Sequence, residues 1–116
     1  TVHVRDARPD DRGAALNILD AAMLQSDQAE AGTLLVAVDD GSVVGALVLV
    51  DDQVDAIAVR RRRRGQGIGS ALVRAAHERH VRLVAVFDPK VRPFYESLGF
   101  TIRENGDGRF EAVREL

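Results

Sequence analysis

The stretch RRRRRGQGIGSAL, Arg60 to Leu72, sets five consecutive arginines directly before three alternating glycines, Gly65, Gly67 and Gly69. Glycines at that density let a backbone turn tightly and let a ligand reach main-chain N–H groups unobstructed. Val59 closes a β-rich apolar run and Ile68 opens a helix-patterned one, so the glycines fall in a strand-to-helix loop. The unbonded N–H groups and positive dipole end of a helix N-terminus form an anion site. Arg64 and its neighbours add positive potential. Together these features suit a pyrophosphate.

Three phosphate-binding patterns compete for this segment. A Walker A loop needs Gly-Lys followed by Ser or Thr, and the one lysine of the chain is Lys90. A dinucleotide fingerprint needs G-x-G-x-x-G, whereas the spacing here is G-x-G-x-G. That fold also wants parallel β-α-β units, and the elements before the loop read as an antiparallel meander. The third pattern depends on the order of the elements.

TVHVRDA alternates from Val2 as an opening strand, and Pro9-Asp10-Asp11 suits a helix start. Leu16, Leu19, Ala22 and Met23 recur at helical spacing, predicting a helix to about Leu24. TLLVAV and VVGALVLV flank the turn Asp39-Asp40-Gly41-Ser42, and QVDAIAV follows Asp51-Asp52. Ile68, Leu72, Ala75 and Ala76 mark one face of a helix reaching Arg79 or His80. VRLVAVF is a strand ending at Asp88-Pro89, and VRPFYESL a short helix closed by Gly99. FTIRE and RFEAVREL bracket the turn Asn105-Gly106-Asp107-Gly108. The predicted order is β-α-β-β-β-α-β-α-β-β, a mixed α/β architecture in one domain spanning residues 1–116.

In that order, Arg64-Gly65-Gln66-Gly67-Ile68-Gly69, continued by Ser70 and Leu72, resembles the acyl-CoA motif of the GNAT superfamily of N-acyltransferases. RPFYESLGF, Arg92 to Phe100, is similar to that family's short helix and following strand. The resemblance implies a mostly antiparallel central sheet flanked by helices, with strands 53–59 and 82–87 splayed apart. It implies acetyl-CoA as cofactor and acetyl transfer to a primary amine by direct attack in a ternary complex. Ile57, Ala58 and Val59 would line the strand that pairs with the pantetheine arm, a free N–H there polarising the acetyl carbonyl. Gly65, Gln66, Gly67, Ile68, Gly69 and Ser70 would cradle the pyrophosphate, with Arg64 at its rim.

Tyr95, the one tyrosine, occupies the family's usual general-acid position. Asp55 precedes Ile57 by two residues, so strand alternation puts both on one face, and it is the favoured general base. Asp51 and Asp52 are alternatives that read equally as solvated turn residues. Two departures stand out. Arg61 replaces a frequent proline after the strand. Asp88 stands where the family often has an asparagine touching the cofactor arm, and an ionised carboxylate cannot donate to it. Asp88 reads better as a cap on the helix near Lys90, with a second base as the alternative.

Composition removes other classes. There are no cysteines, which excludes disulfides, thiolate metal sites and cysteine nucleophiles. His3, His77 and His80 are scattered without metal-ligand spacing, so no metal site is expected. No apolar run approaches the roughly 20 residues that span a bilayer, and no signal-peptide pattern opens the chain. The expected setting is reducing and cytoplasmic, with no membrane partner. A net charge of −2 and only four Phe and one Tyr argue against a nucleic-acid module. The other alternative is a non-catalytic acyl-CoA-binding or regulatory domain of the same fold, which would not need Tyr95 or Asp55.

Charge is uneven along the chain. Residues 1–59 hold 3 arginines against 11 carboxylates, and residues 60–116 hold 13 Lys/Arg against 7. This polarity favours a cationic acceptor such as an amine. The resemblance implies that the first helices and their loop shape the acceptor site, and the shortness of that region here suggests an open acceptor side. That side would take a small-molecule, peptide or protein amine, or be closed by a second subunit in a homodimer.

Overall fold

The computed structural model describes residues 1–21, 32–87, 91–104 and 110–115. Seven strands and three helices follow the predicted order: β1 (Val2–Asp6), α1 (Arg12–Ala21), β2 (Thr33–Asp39), β3 (Ser42–Val50), β4 (Gln53–Val59), α2 (Ile68–His77), β5 (Arg82–Phe87), α3 (Arg92–Ser97), β6 (Thr101–Glu104) and β7 (Phe110–Glu115). The expected extension of the first helix to Leu24, the connector after it, Asp88 to Lys90 and the Asn105–Gly108 turn lie outside the described residues.

The strands form one sheet in the order β1-β2-β3-β4-β5-β7-β6. β2 and β3 read as continuous apolar runs rather than alternating ones because both faces of the sheet are covered. On one face, Ile18 and Leu19 of α1 pack on Val36, Val48, Ala56 and Ala58. On the other, Ile68, Leu72, Val73 and Ala76 form the buried stripe of α2, against Leu47, Ile57 and Val59. Tyr95, Leu98 and Phe100 extend that second core from α3 and the residues after it.

The β2–β3 hairpin turns through Asp40 and Gly41, whose φ angles of 51° and 80° are the two positive values of a type I′ turn. Gly45 in β3 permits the close approach of α2. A Cβ there would meet Ile68 Cγ2 at 3.0 Å and Leu72 Cδ1 at 3.2 Å.

β4 and β5 form the one parallel pair among the described strands, and they register at a single position, Gln53 with Val84. A backbone bond from Val84 N–H to Asp52 O, 3.0 Å, closes that end. Beyond it the strands diverge, so the sheet opens between residues 54–59 and 85–87, as expected for strands splayed around a ligand.

Candidate active site

Backbone parity fixes what faces the opening. Arg60 N–H donates to Val44 O at 2.9 Å, in line with the register that pairs Ala58 with Ala46 and Ala56 with Val48. In an antiparallel ladder, hydrogen-bonded and non-hydrogen-bonded pairs alternate. The N–H and C=O groups of Ala58 therefore go to β3, and those of Ile57 and Val59 point the other way, into the gap beside β5. The Ile57 and Val59 side chains lie in the α2-side core and Ala58 in the α1-side core. Of the three, Ile57 and Val59 turn main-chain groups into the gap.

A bulge lies just upstream. The β3–β4 register steps from Ala56–Val48 to Val54–Leu49 across Asp55, which makes Asp55 the extra residue. Val54 and Ile57 consequently share a core although they are three residues apart. Asp55 is half-buried, and its carboxylate acts on Tyr95. The Tyr95 phenol is pushed up to about 12, first by burial and then by the charge of Asp55. Tyr95 is only 5% exposed. Its ring stacks on Phe87 and meets Phe100 edge-on at 5.4 Å. Tyr95 is thus packed as a core aromatic and borders neither of the two cavities at the glycine loop. Asp51 is exposed at the β3–β4 turn with φ of 52°, and Asp52 is half-buried beside it.

The glycine loop leaves the end of β4 through a 3-10 turn over Arg61–Arg63. Hydrogen bonds hold this turn. Arg60 Nε donates to Val43 O at 2.8 Å, and Arg63 N–H to Arg60 O at 2.8 Å. Arg63 also donates from Nε to Gln66 Oε1, 2.9 Å, and from Nη2 to Asp39, 2.6 Å. The Gln66 side chain thus serves the loop itself. Arg61, Arg62 and Arg64 are exposed.

The three glycines do different things. Gly65 and Gly67 have φ of 77° and 79°, the left-handed region that L side chains avoid, and Gly67 is the N-cap of α2. Gly69 is helical and serves packing, since its Cβ would sit 3.0 Å from Leu98 Cδ2 and 3.7 Å from Phe94. The expectation that all three relieve a tight turn therefore holds for two. Ile68 is 2% exposed, so it offers a ligand only its main chain.

Gly65, Gly67, Gly69, Ser70, Phe94 and Leu98 border a cavity of about 310 Å³, together with Arg63 and Arg64. A second cavity of about 540 Å³ lies on the α1 side, against Asn17, Ile18, Arg61 and Arg62. Val59 and Arg64 border both. No local pattern singles out Asn17, Ile18, Phe94 or Leu98 as cavity residues, because contacts between distant elements place them there. Asp88 lies outside the described residues. Among the described residues, no group of three or more His, Asp or Glu could hold a metal ion. His77 is buried, its Nδ1 bonded to His80 O at 3.0 Å, on the last turn of α2 and away from the loop.

These residues fit acetyl-CoA. A positive-φ glycine turn opens the N-terminus of α2, and an exposed guanidinium stands at the cavity edge. The unbonded strand edge of Ile57 and Val59 can pair with an amide-bearing arm. No helix among the described residues is long and apolar enough to cross a membrane.

The comparisons agree with this geometry. No curated protein matches the sequence. Among solved structures, a GCN5-related N-acetyltransferase of Rhodopseudomonas palustris superposes with a TM-score of 0.79 at 18% identity, covering 100% of this chain and 96% of its own. A Bacillus anthracis str. Ames protein solved with acetyl coenzyme A gives a TM-score of 0.76 at 13% identity, covering 100% of both chains. A Bacillus subtilis acetyltransferase solved with CoA gives 0.71 at 16% identity, covering 100% of this chain and 99% of its own. At these identities the likeness establishes the fold. The family model of the acetyltransferase (GNAT) domain matches residues 30–102, well over half of the sequence, and the chain belongs to the GNAT acetyltransferase family.

Proposed function

We propose that residues 1–116 form a single domain that transfers the acetyl group of acetyl-CoA to a primary amine by direct attack. The observation that carries this reading is the strand edge at Ile57 and Val59, which faces an opening that ends at the glycine turn.

Bound acetyl-CoA supplies an activated acetyl thioester. The N–H groups of Ile68, Gly69 and Ser70 at the start of α2, with the Arg64 guanidinium, hold the pyrophosphate. The backbone of Ile57 and Val59 pairs with the pantetheine arm, and an N–H of that edge polarises the carbonyl as charge develops on its oxygen.

An alkyl amine has a pKa of about 10.4 and arrives mostly protonated. Asp55 takes its proton through water. Nitrogen then bonds to the acetyl carbon as the carbon–sulfur bond breaks. Tyr95 gives the departing sulfur a proton, and the second proton that the nitrogen sheds on becoming an amide restores the phenol. A phenol held near 12 is neutral at working pH and remains a donor.

The test is CoA-thiol release with a panel of primary amines, run for the native chain and for Asp55→Asn. Amine-dependent release is expected, with the variant losing about 10²–10⁴-fold in kcat together with the acidic limb of its pH profile. A normal pH profile in the variant removes Asp55 from the base role. No release with any amine contradicts the transferase reading.

A further inference from the structure

The five arginines do not act as one patch. In a 3-10 turn, residues three apart lie on the same side, and Arg60 and Arg63 both bond back toward the β2–β3 hairpin, to Val43 O and Asp39. Arg61 and Arg62, between them, project elsewhere. They border the α1-side cavity of about 540 Å³ rather than the one at the glycine turn.

That cavity has a composition of its own. Its wall holds the Asn17 amide, the apolar Ile18 and Val59, and the arginines Arg60, Arg61, Arg62 and Arg64, with no carboxylate among the described residues. Neighbouring guanidiniums repel one another, and a bound anion relieves this while taking several N–H donors at once. Val59 brings the cavity to the end of β4, where the strand edge faces the gap. The charge balance along the sequence favours a cationic acceptor, but this wall carries the opposite sign. An amine that also bears an anion satisfies both.

Building on the acetyltransferase reading, we propose that the cavity between α1 and the arginine turn seats the amine acceptor, and that Arg61 and Arg62 bind a carboxylate or phosphate group carried by it. Asn17 offers an amide to the same molecule. Arg61 and Arg62 are positioning residues, since they touch the acceptor away from its reacting nitrogen.

The experiment titrates 2-aminoethyl phosphate, 4-aminobutyrate and butylamine into the full chain saturated with CoA, by calorimetry. Saturation keeps the probes out of the glycine-turn cavity. At least one anionic amine should bind at least tenfold more tightly than butylamine, and the stronger of the two identifies phosphate or carboxylate. The double variant Arg61→Ala/Arg62→Ala should lose that tenfold and keep its CoA affinity within twofold. Equal binding of charged and uncharged amines, or no binding of either anion, overturns the proposal. So does a tenfold loss of CoA affinity in the double variant, because it assigns these arginines to the cofactor. If CoA fails to bind the native chain, the acetyltransferase reading fails separately. The same probes, titrated without it, then decide whether Arg61 and Arg62 form an anion site.

Discussion

Tyr95 lies face to face on Phe87, with ring centroids 4.5 Å apart and planes within 20°. Phe87 is the last residue of β5, so this stack ties α3 to the strand that bounds the sheet opening. The phenol lies within electrostatic reach of Asp55 on β4. The two residues proposed for proton transfer thus belong to the two sides of the opening, Asp55 on β4 and Tyr95 through its stack on Phe87 of β5.

Tyr95→Phe should therefore separate chemistry from packing. The ring stack survives the change, and such pairs contribute about 0.5–1.5 kcal/mol beyond area burial. We expect kcat to fall about 10²-fold, with acetyl-CoA affinity unchanged and Tm nearly so. Steady-state kinetics beside a thermal melt check this. An unchanged kcat would leave Tyr95 a core aromatic only.

The chain has one tyrosine and no tryptophan, so a single absorbance titration reports this phenol. In the folded protein its midpoint should lie near 12, against 10 for the unfolded chain. Asp55→Asn should lower the midpoint only partly, because burial is the larger cause. The folded chain holds the proton more tightly. Stability is therefore full below the unfolded value of 10.0 and is lost as pH rises toward about 12. A midpoint at 10 under folding conditions would contradict the buried environment.

The glycine assignments predict two different failures. Gly67→Ala forces a Cβ onto φ of 79°, a cost of roughly 1–2 kcal/mol, and should weaken acetyl-CoA binding by deforming the N-cap. Gly69→Ala presses on Leu98 at 3.0 Å. It should lower Tm by overpacking, about 1–3 kcal/mol, while the turn keeps its shape. Paired melts and cofactor titrations distinguish them. Equal loss of cofactor affinity in both would refute the division.

Arg63 and Arg64 are neighbours with separate tasks. Both border the glycine-turn cavity, but Arg63 is tied to Asp39 and Gln66, whereas Arg64 is exposed. Arg64→Ala should raise the Kd for CoA by about tenfold, a charge-assisted contact, and leave Tm unchanged. Arg63→Ala should lower Tm slightly by loosening the loop. Titration of both variants with CoA checks the order.

Much of this was legible in the residues. Apolar runs, turn residues and the alternating glycines fixed the order of elements and the place of the loop, and Tyr95 stood out by being alone. What stayed hidden depends on contacts between distant segments. The single β4–β5 register at Gln53 and Val84 has no local signature. The bulge that makes Asp55 the extra residue arises from pairing with Val48 and Leu49. Gly45 looks like a gap in a strand until Ile68 and Leu72 are seen against it. Five identical arginines give no sequence clue that the turn divides them between hairpin tethers and two cavities.

The most direct measurement is a calorimetric titration of acetyl-CoA into the full chain at moderate salt. The account predicts saturable binding at one site per chain, weakened by Gly67→Ala and by Arg64→Ala. Absence of binding, or binding indifferent to both substitutions, would contradict the assignment of the glycine turn and the β4 edge as the acetyl-CoA site.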